Sequence, residues 1–159
     1  MKQVLSPHPR YFVAHHLYPL TTMFLLPLIS FYFMSDVSIL ILILLLASEF
    51  SLFLIYLVKY LDMKCTSWEI TDEQIISHQG IIARHAEYLE LYRINDYTEH
   101  SSVMERILNI KSVIISSTDR STPTLVIFGV NRDMDILSDL RQKVESSKLK
   151  RRIYEVSNY

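Results

Sequence analysis

Glycine and cysteine are scarce in this sequence. Gly80 and Gly129 are the only glycines, which leaves no glycine-rich loop to bring backbone N–H groups onto a phosphate. Cys65 is the single cysteine, which excludes an intramolecular disulfide and is typical of a reducing compartment. No serine lies in a Gly-x-Ser-x-Gly motif, and no two histidines have the i, i+4 spacing of a helical metal site. We therefore predict no enzymatic activity, no catalytic residue, no metal and no cofactor.

Charged residues are nearly absent from two long apolar blocks, residues 17–34 and 37–58, which only Ser35 and Asp36 separate. Each block is about as long as the roughly 20 helical residues that cross a hydrocarbon core. No small-x-small cleavage pattern follows the first block and a second block comes at once, so a secretory signal does not fit. We predict a transmembrane helical hairpin.

Lysine and arginine are absent from the connection between the blocks but present at both outer ends. Lys2 and Arg10 precede the first span, and Lys59 and Lys64 follow the second. Because positive residues near membrane ends stay on the cytoplasmic side, both termini are predicted to be cytoplasmic in a multi-pass protein.

After Lys64 the sequence changes to short runs rich in Ile, Val, Tyr and Thr. This part has twelve Lys and Arg against fourteen Asp and Glu, a net charge of -2, which argues against nucleic-acid binding. Polar turn residues divide it into predicted strands. A 3.6-residue period then predicts a helix over 133–147 with Ile136, Leu137, Leu140 and Val144 on one face. The strand segments are CTSWEI, QIISHQG, ARHAEYLEL, INDYTEHS, KSVIISST and TLVIFGV.

The order and spacing of several short motifs carry a family resemblance. The first pair of strands ends at Gly80, and a loop is predicted at 104–108 before the next strand. Asn109 follows that loop, where the family that this pattern resembles commonly has glycine, and asparagine tolerates the left-handed backbone that a turn there requires. The core motif is Leu91-x-Arg93-Ile94-x-Asp96, and Gly129 precedes the last helix. With two preceding spans, this pattern resembles the bacterial pleckstrin-homology-like domain family of small membrane proteins.

The resemblance implies a membrane hairpin joined to a pleckstrin-homology (PH)-like, mainly antiparallel β fold. That fold is a partly open barrel of about seven strands with a C-terminal α-helix, a platform that does not by itself define an activity. It divides the chain into the hairpin segment 1–64, the cytoplasmic domain 65–147 and a tail 148–159. It also implies the bacterial inner membrane. Asp72 and Glu73 occupy the first hairpin of the domain, where acids would repel a phosphoinositide headgroup.

Glu49 is the acid inside the second span. The free-energy cost of its carboxyl group in the membrane depends on the direction in which the side chain points. Ala47 and Ser51 form a small-x-x-x-small pair on which the first span could pack, and Glu49 then points almost oppositely, toward lipid or another helix. An uncovered acid in lipid costs several kcal/mol, which predicts a second copy or a membrane protein partner at the Glu49 face. A hydroxyl of Thr21 or Thr22 offers a weaker, internal solution.

Two further charged groups invite interpretation. Arg93 and Asp96 read as an opposite-charge pair that fixes a bend or register, rather than as a catalytic pair. The tail carries a cluster of cations that either caps a solvated helix or contacts anionic lipid. Its members are Lys148, Lys150, Arg151 and Arg152.

Two functions from different classes remain open. The first is a non-enzymatic, membrane-anchored interaction or scaffold module in a membrane protein assembly. The alternative is an oligomeric ion- or proton-conducting protein in which several Glu49 carboxyls line a shared pathway. The predicted partners are membrane lipid and either further copies of this chain or another membrane protein. No nucleic-acid partner is predicted.

Overall fold

Seven β-strands and four α-helices make up the part of the chain that the computed structural model describes, residues 2–32, 39–81 and 83–151. The predicted connection at Ser35 and Asp36 lies outside these residues. The helices are α1 (Pro9–Tyr32), α2 (Ile39–Cys65), α3 (Val103–Ile107) and α4 (Ile136–Lys150). The strands are β1 (Gln3–Leu5), β2 (Ser67–Ile70), β3 (Gln74–Gln79), β4 (His85–Glu90), β5 (Ile94–His100), β6 (Ile110–Ser117) and β7 (Thr124–Asn131).

The strands form two antiparallel sheets that do not close into one barrel. One sheet has the order β1-β2-β3-β4, and the other has the order β5-β6-β7. A 3₁₀ turn at Leu91–Arg93 carries the chain from the first sheet to the second. The predicted fold class is confirmed: two long apolar helices, seven antiparallel strands in an open arrangement and a C-terminal helix.

Strand β1 lies before the two long helices, in a segment where no strand was predicted. β1 pairs with β2, and its Leu5 stands opposite Trp68, where both side chains are buried. Three residues are too few to display the alternation by which strands are found in a sequence. The first sheet therefore includes a strand from the segment that precedes α1.

The domain core lies between the two sheets and under α4. Trp68, Ile75, Ile115 and Ile127 are fully buried there. The predicted helical face is confirmed, since Ile136, Leu140 and Val144 of α4 are buried and Leu137 packs half-buried against the core. Asp135 caps α4 by accepting a hydrogen bond from the Ser138 N–H at 3.2 Å, so the helix begins three residues later than predicted and ends at Lys150.

Almost all residues of the two long helices are exposed or half-buried. Only 6% of the most apolar 18-residue stretch of each helix is buried. A core helix of a water-soluble protein would be largely covered, so these helices indicate membrane association.

α1 is kinked at His16, whose backbone (φ -122°, ψ 23°) leaves the helical region. Pro19 follows three residues later. Because proline lacks an N–H and its ring clashes with the carbonyl four residues before it, a kink at this point has a direct cause. The kink separates a short N-terminal segment, which contacts the domain, from the longer segment that begins near Leu17.

Three local expectations around the strands have clear outcomes. The predicted loop at 104–108 is largely helical, because Ser102 and Glu105 form a reciprocal capping box that starts α3. Asn109 adopts φ 56°, the left-handed conformation expected of it. Cys65 was predicted to begin a strand, but it is the exposed last residue of α2, and β2 begins at Ser67.

Candidate functional site

The base of the pair of long helices, α1 and α2, packs against the domain. Just before α1, the His8 N–H donates to the Gly129 carbonyl at 2.7 Å, and one turn later the Tyr11 ring stacks on Phe128 with centroids 4.7 Å apart. Arg10 donates to the Leu108 carbonyl at 3.4 Å. Together with β1, these contacts tie α1 to both sheets, and we call this region the junction.

Gly129 is the residue that allows the close approach at the junction. Its φ is +67°, which side chains with a Cβ rarely adopt. A Cβ added there would lie 2.7 Å from the Cβ of Tyr11, closer than carbon atoms pack. The sequence marked Gly129 only as a residue preceding the last helix, and nothing in it indicated contact with Tyr11.

Glu105 is a buried carboxylate on the domain side of the junction, with its residue only 1% exposed. It accepts hydrogen bonds from the Ser102 N–H at 2.7 Å and from the Ser112 hydroxyl at 3.0 Å. The His15 Nε2 of α1 lies 3.4 Å from the same carboxylate, and the His100 Nδ1 lies 3.9 Å away. Glu105 therefore joins α1, α3 and β6 at one point.

Opposing effects act on the ionisation of Glu105. Burial by itself would raise the pKa of its carboxyl group, but hydrogen bonds from Ser102, His15 and Ser112 outweigh burial and hold the pKa below its ordinary value. The Glu105 carboxyl group therefore loses its proton more readily in the folded protein than in the unfolded chain.

We expect Glu105→Gln to lower the free energy of unfolding by about 1–3 kcal/mol at neutral pH, because hydrogen bonds to a charged group are exchanged for weaker ones. Since the folded pKa is depressed, this stabilisation is complete above the unfolded pKa of about 4.3 and is lost as the pH falls through the folded pKa. Denaturation of the micelle-bound protein at a series of pH values measures both effects. The exposed Glu87→Gln is the matched control, and an unchanged acid profile in Glu105→Gln would contradict the prediction.

Part of this cluster has a signal in the sequence. Ser102-x-x-Glu105 has the spacing of a capping box, which marks the start of a helix. The other partners have no such signal, because His15 is 90 positions away in the chain from Glu105. Only the fold brings these two residues together.

Glu49 points toward α1 rather than away from it. The less exposed positions of α2 repeat at Leu42, Glu49, Tyr56 and Met63, which defines one helical face. Tyr56 meets His16 of α1 with ring centroids 5.4 Å apart. Because Glu49 is seven residues before Tyr56, and Met23 is seven after His16, the antiparallel register places Glu49 level with Met23. The Glu49 Oε1 is buried there and accepts no hydrogen bond from the part of the chain that the structure describes.

The predicted assignment of the two faces of α2 is therefore wrong. Ala47 and Ser51 are exposed, and the Ser51 hydroxyl donates to the Ala47 carbonyl of its own helix at 2.9 Å. The aromatic pair on α1 and α2, Phe12 with Tyr60 at 5.3 Å, lies on the same side as Glu49. Large side chains decide the helix contact, and the small-residue pair stays on the outside of the hairpin.

The predicted hydroxyl partners do not reach Glu49. Thr21 donates to the Tyr18 carbonyl at 2.7 Å, and Thr22 donates to the Pro19 carbonyl at 2.9 Å. A threonine in an apolar helix satisfies its hydroxyl most directly on the preceding turn. Both bonds stay within α1, so the internal solution predicted for the carboxyl is wrong.

The core motif around the 3₁₀ turn contributes to the packing of the domain, but its two charged residues do not pair as predicted. Leu91 and Ile94 are buried, and the Arg93 carbonyl accepts a hydrogen bond from the Thr118 N–H at 3.0 Å. The expected pairing of Arg93 with Asp96 is wrong. Arg93 lies 3.4 Å from Glu90 and 3.3 Å from Asp119. The Asp96 carboxylate instead accepts the N–H of the next residue, Tyr97, at 2.8 Å.

The basic cluster near the C-terminus is partly engaged by the domain itself. Lys148 and Lys150 lie in the last turn of α4, and the Arg151 guanidinium lies 4.3 Å from the Tyr92 ring centroid and 4.0 Å from Glu90. Arg152 lies outside the described residues. Contact of this cluster with lipid stays a prediction.

Over the described ranges, no three His, Cys, Asp or Glu side chains are grouped so that they could hold a metal ion. Asp72 and Glu73 are exposed at the turn between β2 and β3, the place where the phosphoinositide-binding mode would require cations. In the part of the chain that the structure describes, the candidate functional site is therefore the junction. Glu49 lies farther along the hairpin.

Comparison with known proteins agrees with this architecture. A family model described as a bacterial PH domain matches residues 21–155, which is well over half of the chain. The match includes α2, β2 to β7 and α4, whereas Tyr11 and His15 of the junction precede it. Searches of curated proteins and of solved structures found no match. The chain belongs to the bacterial PH domain family.

Proposed function

We propose that this protein is a non-enzymatic, membrane-anchored PH-like module that holds partner proteins in an assembly at the bacterial inner membrane. Its family is generally non-catalytic. In this proposal the hairpin crosses the membrane, and both termini and the domain are cytoplasmic.

The junction is the observation that carries the proposal. A tether that only retains a domain at the membrane needs no contact with it, since a flexible linker is sufficient. Here α1 donates through Arg10 to the domain, stacks Tyr11 on Phe128 and follows a strand of the first sheet. These contacts hold the domain at one height and rotation above the bilayer, as a platform for an assembly requires.

The pairing of β1 supports the proposed orientation. A strand hydrogen-bonded to β2 must lie on the same side of the membrane as the domain. Lys2, Arg10, Lys59 and Lys64 all lie at that end of the hairpin, and such cations favour the cytoplasmic side.

The outer face of α2 is the surface proposed for association within the bilayer. Ala47 and Ser51 are exposed on it, and small residues let a second helix approach closely. Glu49 faces α1 instead, which favours this module over the alternative in which several Glu49 carboxyls line a pathway between copies.

The test is the mass of the complex that the full chain forms when it is extracted from its native membrane in mild detergent. We expect a discrete complex larger than the 18.7 kDa monomer. Ala47→Phe should greatly reduce the fraction in that complex, because a large side chain prevents close approach of a second helix. Leu46→Phe, at a neighbouring exposed position, is the matched control and should leave the complex intact.

Two results would contradict the proposal. One is a monomer under all mild conditions, with or without its cellular neighbours. The other is a proton or cation flux in vesicles that Glu49→Gln abolishes, which would favour the conducting alternative.

A further inference from the structure

α3 exposes apolar side chains that nothing in the described chain covers. Val103 is 73% exposed and Ile107 is 71% exposed, four residues apart on one side of the helix. Glu105 lies on the opposite side and is buried against the domain. The short helix is thus oriented by its carboxylate, and its apolar pair is turned outward.

The contacts of α3 determine its height along the membrane hairpin. Glu105 lies 3.4 Å from the His15 Nε2, and the Arg10 guanidinium reaches the carbonyl of Leu108, the residue after α3. His15 is two residues before Leu17, where the apolar block begins, a rise of about 3 Å along a helix. The headgroup layer of a bilayer is roughly 5–8 Å thick on each side. A helix in contact with His15 therefore lies at the level of the lipid headgroups.

The apolar block of α1 begins just beyond the residue of α1 that α3 contacts. Tyr18 lies three residues beyond His15, just past the kink at His16, and is 79% exposed. Tyrosine at this depth is typical of the membrane interface. Because α3 contacts His15, three residues before Tyr18, its apolar pair lies close in depth to the lipids that surround Tyr18.

Cations accompany this apolar pair. Arg106 is exposed on α3. Arg10, at the start of α1, donates to the carbonyl of Leu108, the residue after α3. Apolar side chains flanked by arginine are the combination by which short helices rest in the interface of anionic membranes.

We propose that α3 is a second membrane contact of this protein, which inserts Val103 and Ile107 among the headgroups and upper acyl chains of the cytoplasmic leaflet. The proposal rests on the membrane anchoring proposed above. Together with the hairpin, α3 gives the domain a second point of contact with the bilayer and so restricts its tilt.

Site-specific fluorescence in vesicles tests the proposal. Cys65→Ser removes the sole native thiol, and single cysteines are then introduced by Ile107→Cys, Phe24→Cys and Leu149→Cys in the full chain. Each carries a polarity-sensitive dye. Phe24 is 71% exposed in α1, and Leu149 is 65% exposed near the end of α4, which makes it the matched control for Ile107. The vesicles contain phosphatidylethanolamine and phosphatidylglycerol, with a quenching nitroxide near the headgroup end of some acyl chains.

We expect the dyes at Ile107 and Phe24 to lose fluorescence on addition of the nitroxide lipid, and the dye at Leu149 to keep it. Quenching at Phe24 without quenching at Ile107 overturns the α3 contact and leaves the anchor in place. A blue shift at Ile107 without quenching assigns the face to a second copy of the chain and also overturns it. Quenching at Leu149 as strong as at Ile107 overturns the specific role of α3. Absence of quenching at both Ile107 and Phe24 overturns the anchor itself.

Discussion

Gly129→Ala is expected to lower the free energy of unfolding by about 2–5 kcal/mol and to separate α1 from the domain. A residue with a Cβ costs about 1–2 kcal/mol in the left-handed conformation. Forcing an added methyl group into a packed contact costs about 1–3 kcal/mol more. Here that methyl group would lie 2.7 Å from the Cβ of Tyr11, so either β7 or α1 must move.

The measurement for Gly129→Ala combines denaturation in micelles with hydrogen exchange of individual amides. The His8 N–H, which donates to the Gly129 carbonyl, should exchange faster in the variant. Gly80→Ala is the control, because Gly80 also has a positive φ, of +100°, but its Cβ would meet the Ala83 carbonyl rather than α1. It should lower stability without changing exchange at His8. Unchanged stability and exchange in Gly129→Ala would show that the junction tolerates a wider separation.

Glu49→Leu is expected to stabilise the hairpin by up to about 3 kcal/mol, the difference between a carboxylate and leucine near the centre of a membrane helix. The Glu49 Oε1 is buried without a hydrogen bond from the described residues. The register of the two helices places Glu49 level with Met23. An apolar side chain in this position replaces an unsatisfied polar group with packing. Glu49→Gln should change stability much less, because the amide remains polar.

Reversible unfolding of the hairpin in mixed micelles measures the effect of Glu49→Leu. Ser48→Leu, at the neighbouring exposed position, is the control and should have little effect, because its hydroxyl already bonds to its own helix. If Glu49→Leu destabilises the protein or breaks its complex, the carboxyl has a partner outside this chain. Such a result would return Glu49 to the assembly interface that its sequence position first suggested.

The limits of prediction from sequence are visible at particular residues. The period of Ile136, Leu137, Leu140 and Val144 was sufficient to place α4. The left-handed backbone of Asn109 was predicted from the family's glycine at that position and from asparagine's tolerance of this conformation. β1 was missed because three residues carry no period. The faces of α2 were wrongly assigned because a small-x-x-x-small pair indicates where a helix can approach, not where one does.

Composition and periodicity alone determined the hairpin, the antiparallel β fold, the C-terminal helix and the absence of familiar catalytic motifs. These features depend on local physics: transfer of apolar residues out of water, the repeat of each secondary structure and the conformational range of single residues. The tertiary structure alone decided which side chains meet across long separations. His15 reaches Glu105, Tyr11 packs on Gly129, and Glu49 turns toward α1, because each contact depends on how whole helices and sheets pack and not on the residues nearby in the chain.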